Sequence, residues 1–503
     1  MSDTVDAVVI GTGAGGAPLL ARLAQAGLRV VALEAGAKHD PEQHPADEVA
    51  AAKIYWMDER ISGGSAGQAF GGNNSGRAVG GSMLHWGAFC PRPDARDLRL
   101  AADQGVGADW PLTLDALQPW LEQVEAEIGV SGPAHYPWDP SRRYAMPPPA
   151  RNAPAQIMAR ACDALGLRAT DAPAAVLTRS RTEPTLRLPC INCGHCHQGC
   201  RTGAKGSMDV TYLPDAVRAG AEIRAGAMAH GFEQKRGRIT AVLYQAGGRE
   251  HRLHTGAVFL CAGGVETPRL LLHTGLANRS DQVGRNYMAH VACQVWGRFA
   301  EPTRMNTGYP SALISEDMLR PADADFRGGY LMQSLGVLPV TWAASVARAR
   351  NLWGPALVDA IRAYPYMAGI GINGECLPAP GNRLTLADEI DATGMPKARI
   401  DFSYGPNELA MERHAIALMT RLWQEAGASD IYSLRRSAHT IGTCRMGTDP
   451  ATSVVDPYGR SHDVPNLWVC DNSVFPSAMP ANPALTIMAL SLRTAKAFVD
   501  SPR

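Results

Sequence analysis

The stretch Gly11-Thr-Gly13-Ala-Gly-Gly16 constrains this chain more than any other. It follows an apolar run, Asp6-Ala-Val-Val-Ile10, of the kind that forms a buried parallel strand. It precedes a helical stretch, Ala17 to Gln25, closed by Gly27. Arg29 to Leu33 reads as a second strand, ending at Glu34. The glycines at 11, 13 and 16 permit a tight turn and let backbone N–H groups approach a pyrophosphate. The positive end of the helix dipole favours the same negative charge. Glu34 is placed to accept hydrogen bonds from ribose hydroxyls, and its carboxylate repels a 2′-phosphate. The unit therefore points to FAD or NAD rather than NADP, and does not itself choose between the first two.

The chain has 503 residues, too many for one ordinary core, which predicts two domains or one large domain with an elaborated second part. Its 46% hydrophobic and 19% charged residues are ordinary for a soluble globular protein. Basic and acidic residues balance at 48 each with no basic stripe, so nucleic acid is not an expected partner. No apolar stretch is long enough to cross a bilayer. Met1 to Val8 lacks the features of a signal peptide. The default expectation is cytoplasmic, or periplasmic only by co-export with a signal-bearing partner.

Further along, Pro137 to Pro154 reads as a proline-rich surface connection. Ala241 to His254 reads as a hairpin turning at Gly247-Gly248. Ala257 to Cys261 reads as a separate strand running into Gly263-Gly264 and a helix, with Pro268 in its first turn. Leu467 to Cys470 reads as another strand, followed by Asp471-Asn472.

Four segments then carry a family resemblance. Gly76-Arg-Ala-Val-Gly80-Gly81-Ser82-Met-Leu-His85-Trp86 resembles the first signature of the glucose–methanol–choline (GMC) flavoproteins, and Gly264-Val-Glu-Thr-Pro268 to Gly275 the second. Val283-Gly-Arg-Asn286-Tyr-Met-Ala-His290 is similar to a short family segment. His439-Thr-Ile-Gly-Thr-Cys-Arg445-Met-Gly447 through Asn482-Pro483-Ala-Leu-Thr486 is the strongest match. The motifs sit nearest those of bacterial sugar and alcohol dehydrogenases and pyranose-oxidase-like members.

The resemblance implies an α/β (α+β overall) fold. It combines a Rossmann-like FAD-binding domain, discontinuous over 1–100, 186–290 and 436–503, with a sheet-based substrate domain over 291–435. Residues 101–185 stay unassigned between the two. It also implies cofactor contacts at Gly11, Gly13, Gly16, Glu34, Gly80, Gly81, Ser82, His85, Trp86, Asp471, Asn472 and Pro483. His85 matches a position where some members attach the flavin covalently, and it alternatively packs against the ring. A turn-capping role is the alternative for Asp471.

Oxidising an alcohol carbon needs a base for the hydroxyl proton, a hydride acceptor, and donors for the developing alkoxide. Histidine suits the first task because it titrates near neutral pH. The resemblance assigns His439 as general base, Asn482 as the group binding the substrate oxygen, and flavin N5 as hydride acceptor. His290 and His462 read as structural. The expected activity is oxidation of a sugar, glycoside or polyol. The alternatives are a peroxide-forming oxidase of long-chain, aromatic or sterol alcohols, and a non-catalytic flavin or electron-transfer subunit.

Eleven cysteines, an odd number, argue against a disulfide framework. Four of them, Cys190, Cys193, Cys196 and Cys200, have the spacing of a ferredoxin-type iron–sulfur run, although Arg201 stands where proline usually follows. Resemblance to the family's bacterial sugar dehydrogenases implies a three-iron cluster (3Fe-4S) on Cys190, Cys196 and Cys200, or with Cys193 a four-iron one (4Fe-4S), passing electrons to a partner subunit or cytochrome. A zinc site including His195 and His197, or plain thiols, are the alternatives.

Overall fold

The computed structural model describes residues 4–45, 47–56, 60–65 and 75–501. Part of the first GMC-like segment's approach, residues 66–74, lies outside them. Two large sheets organise the rest.

The first sheet begins as the sequence predicts, with β1 (Thr4–Ile10), α1 (Gly16–Gln25) and β2 (Val30–Glu34). It continues with β3 (Glu222–Ala225), β4 (Met228–Lys235), β5 (Arg238–Ala246) and β6 (Arg249–Leu260). The strand order is β3-β2-β1-β6-β5-β4. The predicted hairpin is present at β5 and β6, but no separate strand begins at Ala257. One twelve-residue strand instead changes neighbours along its length. Arg249–His254 pairs antiparallel with β5, while His254–Leu260 runs parallel to β1. The second half is buried on both faces, as a parallel strand flanked by helices must be.

α2 (Gly263–Thr274) starts directly after this strand, which puts Pro268 in its second turn rather than its first. A proline there has no N–H for the carbonyl of Gly264, a defect that costs about 3 kcal/mol or more in a helix interior. The hydroxyl of Thr443 donates to that carbonyl at 3.0 Å and restores its partner. The C-terminal segment is thereby tied to the helix start.

The second sheet is antiparallel. Its strands include β7 (Met288–Val291), β8 (Gln294–Arg298), β9 (Leu313–Ser315), β10 (Tyr330–Leu335), β11 (Met367–Gly374), β12 (Ser429–Leu434) and β13 (Ser437–Ile441). The order is β12-β8-β11-β10-β9, ending on the two-residue strand Thr170–Asp171, with β7 pairing β11 and β13. The helices that accompany it include α3 (Pro339–Ala349) and α4 (Pro406–Glu425). α4 covers one face by burying Met411, Ala415, Met419, Leu422 and Trp423. The chain then returns to the first sheet, where β14 (Leu467–Val469) runs parallel to β6, and ends in α5 (Pro483–Asp500), packed on α1.

Residues 101–185 divide between the two layers. The helix Leu114–Ile128 packs on α5, and Ala153–Ala164 packs on α4. No helix among the described residues is long and apolar enough to cross a membrane.

Candidate active site

A cavity of about 470 Å³ opens at the carboxyl ends of the parallel strands, where open α/β sheets bind ligands. One wall is the glycine loop. Gly13 faces Gly81 across it, and a Cβ on Gly81, at φ +56°, would sit 2.8 Å from the Gly13 Cα. Gly15 is equally constrained, since a Cβ there would overlap the carbonyl oxygen of Cys470. Sequence reasoning passed over Gly15 because it lies outside the GxGxxG pattern.

Glu34 is buried. It accepts from the Thr12 N–H at 3.1 Å, the Thr12 hydroxyl at 2.7 Å and the Gly36 N–H at 2.9 Å. Burial raises its pKa and these donors oppose the rise. The Thr12 oxygen in turn accepts from the Gly80 N–H at 2.9 Å. Three motifs far apart in the chain are thus joined by one hydrogen-bonded string, which leaves one acceptor site on Glu34 Oε1.

Asp471 and Asn472 also line the cavity, with their side chains bonded to the start of α2. Asp471 accepts from Gly263 N–H at 2.8 Å, the Thr267 hydroxyl at 2.6 Å and Ser473 N–H at 2.8 Å. Asn472 accepts from Gly264 N–H at 3.0 Å. His85 stacks obliquely on Tyr55, ring centroids 4.6 Å apart. Burial is the main cause that pushes the His85 pKa down to about 3, so it is neutral. The His85 Nε2 and Trp86 Nε1 are buried without a protein partner, and both residues line the cavity with Ser82 and Pro483.

His439 sits on β13 at a bulge, where the pairing with β7 shifts between Ala438 and Ile441. Its φ is +61°, a left-handed conformation that costs roughly 1 kcal/mol or more outside glycine. Bulges re-aim side chains, and both Ala438 and His439 line the cavity. The His439 Nδ1 lies 2.8 Å from the Nδ1 of His290, and the His290 Nε2 lies 3.2 Å from the Ala478 carbonyl.

Asn482 occupies the N-cap of α5, with Pro483 in the first turn. An N-cap asparagine usually accepts from its own helix, but this one makes no such bond. Its Oδ1 instead accepts from the Asn373 amide at 2.9 Å, which turns its Nδ2 toward the His439 Nε2 at 3.5 Å. His439 and Asn482, separate in sequence, are therefore adjacent. His290 and Asn373 are the residues that sequence reasoning missed. His290 was visible in the family segment Val283–His290 but read as structural, and Asn373 lies in the stretch with no motif.

Comparison with known proteins decides what this constellation belongs to. Two family models described as GMC oxidoreductase match residues 61–292 and 378–491. The 6'''-hydroxyparomomycin C oxidase of Streptomyces lividus is 31% identical, over 98% of this chain and 91% of that protein. The chain belongs to the GMC oxidoreductase family.

Another GMC relative, the 2-methyl-1,2-propanediol dehydrogenase of Mycolicibacterium austroafricanum, is 29% identical over 98% of this chain and 94% of its own. The fold matches the crystal structure of pyridoxine 4-oxidase from Mesorbium loti with a TM-score of 0.71 at 17% identity, covering 99% of this chain and 100% of that one. The protein is an FAD-dependent GMC enzyme oxidising a CH–OH group. The residues present fit that cofactor. Gly11, Gly13 and Gly81 line the cavity with backbone, and His85 and Trp86, whose buried Nε2 and Nε1 have no protein partner, line it too.

The iron–sulfur expectation is overturned. Among the described residues no group of three or more His, Cys, Asp or Glu side chains is arranged to hold a metal ion. That covers the cluster at Cys190, Cys193, Cys196 and Cys200 and the zinc alternative alike. All four are free thiols. Cys193 is exposed, whereas burial pushes the Cys190 and Cys196 thiols up. The Sγ of Cys190 accepts from Asn192 N–H and that of Cys200 from Lys205 N–H, both at 3.4 Å. His195 is bonded to the Cys193 carbonyl at 2.7 Å and His197 to the His85 carbonyl at 2.9 Å.

The loop is organised by a buried ammonium instead. Lys205 Nζ donates to the carbonyls of Leu84 at 2.7 Å, Trp86 at 3.3 Å and Cys196 at 2.5 Å. Ferredoxin-like spacing here serves a loop clamped onto the His85-Trp86 segment.

Proposed function

We propose that this enzyme oxidises an alcohol carbon of a sugar, glycoside or polyol, with His439 as general base and Asn482 as the donor to the substrate oxygen. The carrying observation is the direction of the hydrogen bonds behind His439. The Ala478 carbonyl only accepts, so the His290 Nε2 carries a proton. The Nδ1 of neutral His290 is then an acceptor and takes the Nδ1–H of His439. That leaves the lone pair of His439 Nε2 facing the cavity, beside Asn482.

Burial first, then His290 and Arg436, hold the His439 pKa well below the ordinary imidazole value, so the ring waits unprotonated. On taking the hydroxyl proton it becomes an imidazolium, and its bond to His290 becomes charge-assisted. The Asn482 amide and the positive end of α5 face the oxygen as its negative charge grows. Bound FAD, held by the glycine wall, supplies the hydride acceptor.

Polyhydroxylated substrates are supported by amides on the opposite wall, Gln294 and Gln333, and by relatives named for a diol and a hydroxylated paromomycin. Reoxidation by an electron-accepting subunit or cytochrome goes with the dehydrogenase reading, and the Mycolicibacterium relative is a dehydrogenase. Peroxide formed mole for mole with product in air would replace that part with an oxidase.

Steady-state kinetics on a panel of sugars and polyols test the whole reading. Turnover should be lost in His439→Ala with FAD retained, and Asn482→Ala should lower kcat more than it raises KM. Equal turnover by wild type and His439→Ala rejects His439 as base.

A further inference from the structure

Charged groups around the cavity are almost all matched. Its acidic lining residues are Glu34, Glu266 and Asp471. Glu34 and Asp471 are engaged as described above. Glu266 pairs with Arg60 at 3.0 Å and Arg269 at 2.9 Å. Nearby arginines are matched too: Arg350 pairs with Asp430 at 3.1 Å and Arg435 with Glu412 at 3.0 Å.

Arg436 differs. It lines the cavity, and its side chain has no ion pair or hydrogen bond to any described residue. Its electrostatic neighbours are a second cation, Arg348, and Tyr404. The side chain is exposed, and the protein packed around it, then Arg348, lower its pKa. A guanidinium that lines the cavity and is given no carboxylate by the protein is free to pair with a ligand anion.

Position says which ligand. Arg436 sits in the turn from β12 to β13, three residues before His439, and its carbonyl accepts from Ala292 N–H at 3.2 Å. The turn is thereby pinned to the end of β7, and guanidinium and base open onto one space. Thr341, Trp342 and Ser345 of α3 line the same space, and Arg348 lies one turn further along that helix. The pyrophosphate cradle belongs to the opposite wall, on the first sheet.

We infer that the substrate carries an oxyanion, a carboxylate or phosphate, bound by Arg436 while His439 takes the proton of a hydroxyl elsewhere on the same molecule. This rests on the base assignment above and narrows the substrate to acidic sugars or polyols. The planar fork of Arg436 matches either oxyanion through two parallel N–H bonds, and Arg348 adds attraction at a distance.

Binding to the FAD-loaded enzyme tests this, read from perturbation of the flavin visible spectrum. D-Gluconate, D-glucose 6-phosphate and neutral D-sorbitol are titrated into wild type, Arg436→Gln and Arg436→Lys. At least one anion should bind about 10- to 100-fold tighter than sorbitol, the range for a charge-assisted bidentate pair. Which anion wins distinguishes carboxylate from phosphate. Arg436→Gln should bring it to the sorbitol level, and Arg436→Lys should fall between. Anions binding no tighter than sorbitol, or a preference that survives Arg436→Gln, overturns the inference. A shifted flavin potential in Arg436→Gln with the anion preference intact does so too, and gives Arg436 to the cofactor. His439→Ala separates the two readings: it should keep the anion preference while losing turnover. If it keeps turnover, the base assignment fails and the anion site stands.

Discussion

On the first-sheet side, the cavity wall is backbone. Gly15 and Gly81 bring main chain within a distance that tolerates no Cβ, and Glu34, Thr12 and Gly80 are strung together behind them. On the second-sheet side, the wall is side chains drawn from distant strands: Gln294 from β8, Gln333 from β10, Asn373 from β11 and His439 from β13, with His290 of β7 buried behind His439. The first wall can grip a ligand common to a whole family, because backbone geometry does not depend on which side chains surround it. The second can change its specificity by one substitution without disturbing that grip. Damage to the two walls should therefore separate: loss of cofactor on one side, loss of turnover with cofactor retained on the other.

The largest effect is expected at His439. His439→Ala should lower kcat/KM by about 10²- to 10⁴-fold, the usual contribution of a general base, with the flavin-to-protein ratio unchanged. A variant that loses its FAD would blur the two walls into one. Gly81→Ala should do the converse. The new methyl collides with Gly13 at a left-handed φ, so purified protein should carry substoichiometric FAD and be destabilised by about 1–3 kcal/mol, measured by absorbance ratio and denaturant melts.

His290 sharpens the comparison within the second wall. Wild-type kcat/KM should fall in acid only below the ordinary imidazole value, because His439 is held unprotonated by burial and by His290. His290→Ala removes one of the causes that depress the base, so the acid limb should move up and kcat should fall by about tenfold. A pH profile indistinguishable from wild type would make His290 a packing residue.

The smallest effect is behind the site. Glu375 is buried, and its Oε1 accepts from Met479 N–H at 3.0 Å and Cys376 N–H at 3.1 Å. Burial pushes its pKa up to about 8. A carboxyl whose folded pKa exceeds its unfolded one stabilises fully below the unfolded value and loses that contribution as pH rises through the folded one. Wild type should thus lose stability between about pH 4.5 and 8 through this group, and Glu375→Gln should flatten that loss in melts across the range. An unchanged slope would show that Glu375 ionises freely.

The contrast between walls also explains what the sequence disclosed. Gly11 to Gly16 and Glu34 are contiguous enough to read, because the backbone geometry they serve is local. His439 and Asn482 were legible through their family segments, and so was their meeting, which the family fold implies. Asn373 and Arg436 acquire meaning only when β11 and the turn before β13 meet at one cavity, and single amides and arginines carry no periodicity. Pro268 was misplaced by a turn because its compensation comes from Thr443, far along the chain. The cysteine run misled for the opposite reason. Its spacing is local and specific, but a cluster needs converging thiolates, and here the loop converges backbone carbonyls on Lys205 instead.

The most direct measurement is anaerobic rapid mixing of the FAD-loaded enzyme with an accepted sugar or polyol, following loss of the oxidised flavin band. Wild type should bleach in a single exponential whose rate saturates with substrate, and His439→Ala, equally loaded with FAD, should bleach at least about 10²-fold more slowly. Bleaching of both at the same rate would contradict the claim that this histidine, aimed by a bulge and held neutral against His290, is the base.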